Sequence, residues 1–251
     1  MRKIRIHLKA QTTLRHVAPF GAVFLAYESF RLLSGHLIGR VNYGLAPAFD
    51  RQLFGSLPTR YLQDRLWNGT VRWYDVLLYF PYVFFFVAPV GMAILVWRTR
   101  TAEYWTTVTS FVVTFFSAFL TFLIFPTAPP WLASQNKHIE PLTRIPGEIW
   151  ARAGLHDFPG FYSRVSPNAV AAVPSLHAAI STLTSLVIFK LYGRRWGALS
   201  LIYPLAIYFS VVYEAEHYVL DVLVGVVYAF VAYLTAPYVL AKAKSLTRLV
   251  R

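Results

Sequence analysis

Two histidines in this chain stand where long apolar runs begin. Pro174-Ser175-Leu176-His177 opens one run, and His217-Tyr218-Val219-Leu220-Asp221 opens another. In the second, the carboxylate follows its histidine by four residues, about one helical turn along the same face. An ionisable side chain at the edge of a membrane span is costly and is read as functional by default. Two histidines and a carboxylate at such edges point to acid–base or nucleophilic work on a group held at a membrane surface.

The rest of the composition agrees with a membrane setting. Of 251 residues, 57% are hydrophobic and 14% charged, whereas a soluble domain carries about a quarter charged residues. Aromatic residues make up 17%, with 16 Tyr and 7 Trp, as expected where amphipathic rings sit at headgroup level. There is no cysteine, which excludes disulfides, thiolate nucleophiles and Cys-ligated zinc. The formal net charge is +13, but the basic residues sit at the ends of apolar runs. That distribution fits topology signals and anionic headgroups and argues against a nucleic-acid partner.

Spans need about 20 mainly apolar residues, and six are read: 17–35, 73–97, 104–125, 172–192, 197–213 and 218–240. The fold expected is all-α, a six-transmembrane-helix bundle forming one membrane domain over 1–251. Its core is 73–240, preceded by a first span and interfacial segment at 17–72. Glu28 and Arg31 interrupt the first span at i,i+3 spacing and read as a local ion pair facing the bundle. The basic start followed by an apolar run imitates a signal peptide, but without a convincing cleavage site a retained span is expected.

Lys and Arg cluster in the N-terminal tail (Arg2, Lys3, Arg5, Lys9, Arg15), after span two (Arg98, Arg100), after span four (Lys190, Arg194, Arg195) and after span six (Lys242, Lys244, Arg248, Arg251). With six spans these segments share one side, which the positive-inside rule makes cytoplasmic, termini included. Two long segments face the other side. Residues 36–72 contain amphipathic stretches expected to lie in the interface as one or two short helices. Residues 126–171 open with Pro126-Thr127-Ala128-Pro129-Pro130-Trp131 and are expected to hold some helix near Pro146–Ala153.

This topology brings the two histidine segments together. His177 begins span four and His217 begins span six, so both lie at the extracytoplasmic face, where the 126–171 loop also enters. In that order and setting, P-S-x-H followed by H-x3-D resembles the type 2 phosphatidic acid phosphatase superfamily of membrane lipid phosphatases and phosphotransferases. The local wording, P-S-L-H-A and E-H-Y-V-L-D-V-L-V-G after an upstream P-T-A-P-P-W, is similar to its aureobasidin-sensitive inositol phosphorylceramide synthase branch.

The resemblance implies roles. His217 matches the nucleophile that becomes a phosphohistidine, and Asp221 matches the partner that fixes its tautomer. His177 matches the general acid for the leaving oxygen, then the base toward water or an alcohol. Ser175 matches a phosphate-contacting position, helped by backbone N–H groups at the start of span four. No metal or other cofactor is implied. Two departures stand out: Leu176 occupies a position that is glycine in the wider superfamily, and Val211 stands where an arginine is expected. The phosphate's cation must come from elsewhere. Lys137 and Arg144 have the family's first-motif spacing without its Arg-Pro, and Arg164 is a comparable candidate.

Other polar residues have plainer readings. His138 and His156 read as loop residues. Glu214 and Glu216 read as solvated loop charges, with an acceptor-site role as the sharper alternative, and Asp75 reads as a structural hydrogen-bond partner. The function expected is an integral-membrane enzyme, in the plasma membrane, whose partners are the bilayer, a lipid phosphate substrate and an alcohol or lipid acceptor. The local wording leans to transfer of a phosphoinositol-type headgroup over hydrolysis of phosphatidic acid or a polyprenyl diphosphate. A transporter or an inactive scaffold subunit is the competing class.

Overall fold

The computed structural model describes residues 16, 18–23, 25, 39–85, 87–155 and 170–249. Helices dominate, and the described residues contain no strand, only two isolated bridges. After helical residues at 18–23 come two short helices, α1 (Leu45–Phe54) and α2 (Pro58–Leu66). The Asn42 side chain accepts the Gly44 and Leu45 N–H groups at the start of α1, and Gly55 ends it at φ 78°. A bent pair follows, α3 (Trp73–Phe84) and α4 (Ala88–Thr99), related by 57°. A single 3-10 turn leads into the long α5 (Tyr104–Ile124). The loop beyond holds α6 (Pro130–Gln135) and α7 (Ile145–Arg152). The chain then runs through α8 (Leu176–Tyr192), α9 (Arg194–Ser200), α10 (Ile202–Tyr213) and α11 (Val219–Leu249).

Side chains are distributed for a lipid solvent. Large apolar residues face outward on α3, α5, α10 and α11, among them Phe80, Ile124, Ile202, Leu234 and Tyr238, whereas the central α8 exposes none. Small and hydroxyl residues fill the helix contacts: Ser110, Thr114, Ser181, Thr184 and Ser185 are buried. Most of these hydroxyls donate back to a carbonyl of their own helix, as Thr114 does to Ser110 (2.8 Å) and Thr184 to Ile180 (2.8 Å), which satisfies their protons within an apolar setting.

Among the described residues, three helices are long and apolar enough to cross a membrane: Thr101–Ile124, Arg194–Tyr213 across the α9–α10 joint, and Val219–Leu246; the α3–α4 pair makes up to four. The six-span count therefore stands at three to four by length and composition. The shortfall has a physical reason at span four: α8 has 17 residues, about 25 Å at 1.5 Å per residue, short of a hydrocarbon core of about 30 Å. The first span, with Glu28 and Arg31, lies mostly outside the described residues.

The core is organised around α8. Ile180, Leu183 and Val187 of this helix pack with Ala93 and Val96 of α4, Val108 and Phe111 of α5, and Ala229 of α11. On another side Ala178 packs with Tyr79 and Tyr82 of α3 and with Ile207 and Val211 of α10. Near the starts of α1 and α8, three separate segments are stitched together. Thr127 forms bridges with both Asn42 and Ala171, and Asn42 N–H donates to Pro126 O (2.8 Å).

Candidate active site

The α10–α11 turn and the start of α8 meet at one point. The turn is shaped by the carbonyl of Val211, which accepts the N–H groups of both Glu216 (3.0 Å) and His217 (2.9 Å). To close it, Ala215 takes the left-handed conformation at φ 63°, costing roughly 1–2 kcal/mol for a residue with a Cβ. The Trp131 N–H at the start of α6 donates to the Ala215 carbonyl (3.0 Å) and holds the turn from outside. Across the gap, Ser175 caps α8, its hydroxyl accepting the Ala178 N–H (3.3 Å), which satisfies a donor otherwise orphaned at a helix start. The Ser175 N–H in turn donates to the backbone carbonyl of Asp221 (2.9 Å).

These contacts bring His177, His217 and Asp221 into a line. His217 Nδ1 lies 3.3 Å from Asp221 Oδ2, and its Nε2 lies 3.3 Å from His177 Nδ1. One set of tautomers satisfies both contacts: His177 donates to His217, and His217 donates to Asp221. Asp221 Oδ2 also accepts the Tyr218 N–H (2.9 Å), so the carboxylate is fixed from two sides. The His177 ring stacks on Tyr82 (4.2 Å between centroids) and meets Phe85 at a tilt of 43° (4.4 Å). His217 and Asp221 are buried. His177 Nε2 and Asp221 Oδ1 are buried without a hydrogen-bond partner, so each has bonding capacity to spare.

The candidate cations fare differently. Arg144, the residue before α7, reaches the turn: its Nε and Nη2 grip Glu216 Oε1 (2.7 Å) and Oε2 (3.3 Å). Its guanidinium lies 4.2 Å over the Trp131 ring. It therefore sits beside the residue preceding His217. Lys137 is exposed in the turn after α6, at φ 60°, and no hydrogen bond or ion pair links it to the histidines. Arg164 lies outside the described residues, as does His156. His138 is an exposed loop residue stacked on Tyr43 (3.9 Å).

The two glutamates are not solvated loop charges. Glu216 is 7% exposed and ion-paired. Glu214 is fully buried, and neither carboxylate oxygen has a hydrogen-bond partner. Ser210 lies near it but spends its proton on the Leu78 carbonyl (2.8 Å). Burial holds the Glu214 carboxyl well above the ordinary carboxylate range, and repulsion from Glu216 and Asp75 adds to this. Asp75 behaves as its sequence position indicated: it accepts the Arg72 N–H (2.7 Å) at the start of α3 and the Tyr213 hydroxyl (2.6 Å).

Two positioning residues have no signal in sequence pattern. Gln63 of α2 donates to the carbonyls of Thr143 (2.7 Å) and Tyr213 (2.9 Å) and accepts the Thr143 N–H (2.9 Å). It thus pins the residue before Arg144 to the end of α10. Asp50 of α1 accepts the N–H groups of Val219 (2.9 Å) and Leu220 (3.1 Å) at the start of α11. Both contacts join residues at least 80 apart in the chain, and only the fold makes them visible. Among the described residues no group of three or more His, Asp or Glu is arranged to hold a metal ion.

A short helix-start motif carrying one histidine, set against a turn carrying a His–Asp pair inside a helical membrane bundle, is the arrangement of a lipid phosphatase or phosphotransferase. The chain belongs to the PAP2 superfamily, whose model matches residues 48–235. It is similar to a protein of Bacteroides thetaiotaomicron named phosphoinositol dihydroceramide synthase. The two are 26% identical over 244 residues, covering 90% of this chain and 77% of the relative. No solved structure matches it.

Proposed function

We propose that this enzyme moves a phosphoinositol-type headgroup from one lipid to the hydroxyl of another through a phosphohistidine at His217. The observation that carries the reading is the His177–His217–Asp221 line, built from residues 40 apart with a consistent set of tautomers. In the first step His217 Nε2 attacks phosphorus, and the bond to the departing lipid oxygen breaks. For this step His177 takes up a second proton, at Nε2, alongside the anionic phosphodiester; the resulting imidazolium exchanges its Nδ1 hydrogen bond to His217 for one to the departing oxygen, delivers the Nδ1 proton and is left neutral. Asp221 retains the His217 Nδ1 proton and offsets the positive charge that develops on the ring. In the second step His177, now neutral without that proton, takes one from the acceptor alcohol. The alkoxide attacks phosphorus, and the P–N bond breaks to regenerate His217.

Arg144 is the cation proposed to neutralise the phosphodiester oxygens in place of the residue missing at Val211, with Ser175 and the first N–H groups of α8 supporting it. The transfer reading draws support from the name of the similar protein. The chain is read as one membrane domain in the plasma membrane. Its termini are cytoplasmic, its site extracytoplasmic, and α1 and α2 lie in the interface, as the distribution of Lys and Arg indicates.

The test is His217→Ala with phosphatidylinositol labelled in the headgroup, assayed with and without a ceramide-type alcohol. The wild-type enzyme is expected to form a labelled new lipid only when the alcohol is present, and an acid-labile labelled protein adduct in its absence. The variant, normally inserted, is expected to lose about 10^3 or more in turnover. Full activity in the variant sinks the mechanism, and release of soluble inositol phosphate in place of the new lipid makes water the acceptor.

A further inference from the structure

We propose that Asp50 is a positioning residue whose charge holds the start of α11, and with it His217 and Asp221, in working geometry. The inference rests on the reading of His217 and Asp221 given above. A helix start leaves its first N–H groups unsatisfied, and a side chain just upstream in the sequence usually caps them. Here the carboxylate comes from α1, 169 residues away, and uses one oxygen for each of two N–H groups: Oδ2 for Val219 and Oδ1 for Leu220. Those residues lie between His217 and Asp221. A negative charge at a helix start is also favoured by the helix dipole. Asp50 is fully buried, so little water competes for its lone pairs.

The surroundings make this cap sensitive to pH. Burial pushes the Asp50 carboxyl up to about 6, Asp221 across the helix start adds repulsion, and the two N–H groups oppose both. Facing it from the turn before α11 is the buried Tyr218. The neighbouring cation on its own helix, Arg51, is engaged by Glu140 of the loop after α6. The charged pair on α2, Arg60 and Asp64, is exposed. Protonation would convert a two-oxygen acceptor into a group that accepts well at one oxygen. Because the folded value is raised, the proton is bound more readily in the folded than in the unfolded chain. Acidification from pH 7.5 to 5 therefore weakens the cap without Asp50 itself favouring unfolding.

The experiment compares wild type, Asp50→Asn and a surface control, Asp64→Asn, for turnover between pH 5 and 8. Asn keeps the shape but turns an amide NH2 toward one of the two N–H groups. At pH 7.5, Asp50→Asn is expected to lower kcat about tenfold, the order of a lost charge-assisted hydrogen bond, with KM within about twofold and the control unchanged. At pH 5 the wild type has lost the same charge, so the two should converge to within about twofold. Any loss of turnover with pH that is common to the two enzymes cancels in the ratio. A ratio that stays constant across the range overturns the proposal, as does wild-type turnover in Asp50→Asn at pH 7.5.

Hydrogen exchange of the peptide spanning Val219 and Leu220 provides a readout independent of activity. It is expected to speed up about tenfold in Asp50→Asn, with the Tyr104–Ile124 helix unchanged. If the variant does not insert, the same local loosening, relative to intrinsic rates, is sought in wild type on going from pH 7.5 to 5; unchanged protection refutes the cap. A His217→Ala enzyme that still turns over would defeat the reading of the site while leaving the exchange result standing. An inactive His217→Ala beside a fully active Asp50→Asn would defeat the Asp50 proposal alone.

Discussion

Removing Arg144 should have two effects that a second substitution can separate. The guanidinium grips Glu216 with two nitrogens, and the side chains are 20% and 7% exposed. Breaking a fully buried pair by removing one partner costs about 3–5 kcal/mol, because a charge is left without compensation. Arg144 keeps some access to water, so about 2–3 kcal/mol is the loss expected in Arg144→Ala. Adding Glu216→Gln removes the orphaned charge and should restore most of that stability. Activity should behave otherwise. If Arg144 also neutralises the phosphodiester, its loss removes a charge-assisted contact worth about 1.5–3 kcal/mol, or about 10- to 150-fold in kcat/KM. The Gln at 216 cannot supply that cation, so the double variant should be stable and still impaired. Arg144→Lys keeps the charge but loses the planar fork and should fall between. The assay is thermal unfolding in detergent beside headgroup transfer from labelled phosphatidylinositol. A double variant with wild-type kcat/KM would refute the phosphate role and leave Arg144 as a structural partner of Glu216.

Two further substitutions probe the frame. A methyl group at Gly225 of α11 would overlap the Ser175 carbonyl oxygen and lie 3.2 Å from Ala178 Cβ. Gly225→Ala should therefore push α8 away from α11, cost about 1–3 kcal/mol and reduce turnover at least about tenfold; wild-type melting and turnover together would show that the close approach is not needed. Glu214→Gln imitates the neutral acid that burial favours. The raised folded value means that the stabilising effect of protonation is fully present below the unfolded value of 4.5 and is lost as pH rises through the folded one. The variant should thus melt higher than wild type at pH 8.5 and similarly at pH 4.5, and a melting difference of the opposite sign would refute a neutral Glu214.

What sequence alone could reveal here follows the range of the interactions. His217 and Asp221 are one helical turn apart, and Ser175 and His177 open a helix, so local spacing placed them. Apolar runs separated by basic clusters marked the helices, because the period and the charge rules act over tens of residues. The helix of span four is shorter than its apolar run: residues 172–175 extend the run, but Ser175 caps the helix and starts it at Leu176. Glu214 and Glu216 are buried for a reason that local spacing does not carry. A charged residue in a short connection is usually solvated, and nothing in the local pattern records that Arg144, 72 residues away, covers this turn. The roles of Asp50 and Gln63 are hidden from the sequence for the same reason. Their partners lie in other segments, and α1 and α2 look like peripheral amphipathic pieces until the hydrogen bonds are traced.

The departure at position 211 also reads differently in three dimensions. Val211 is fully buried among Tyr79, Tyr82, Ala178 and Ile207, and its carbonyl holds the turn that carries His217. An arginine there would place a guanidinium in an apolar cluster beside the Tyr82 ring that stacks on His177, at a desolvation cost that only a bound anion could offset. In this chain the nearby cation comes instead from Arg144, at the end of a loop that Gln63 ties to α10. Its charge is balanced in the folded protein by Glu216, the neighbour of His217. The Arg144–Glu216 pair keeps a positive charge on the residue before His217 without leaving it unpaired when no anion is bound. A phosphodiester reaching His217 would then compete with Glu216 for the same guanidinium. If Arg144 holds the phosphodiester as proposed, that competition ties the strength of substrate binding to the charge of Glu216, which then acts as part of the site and not of its surroundings.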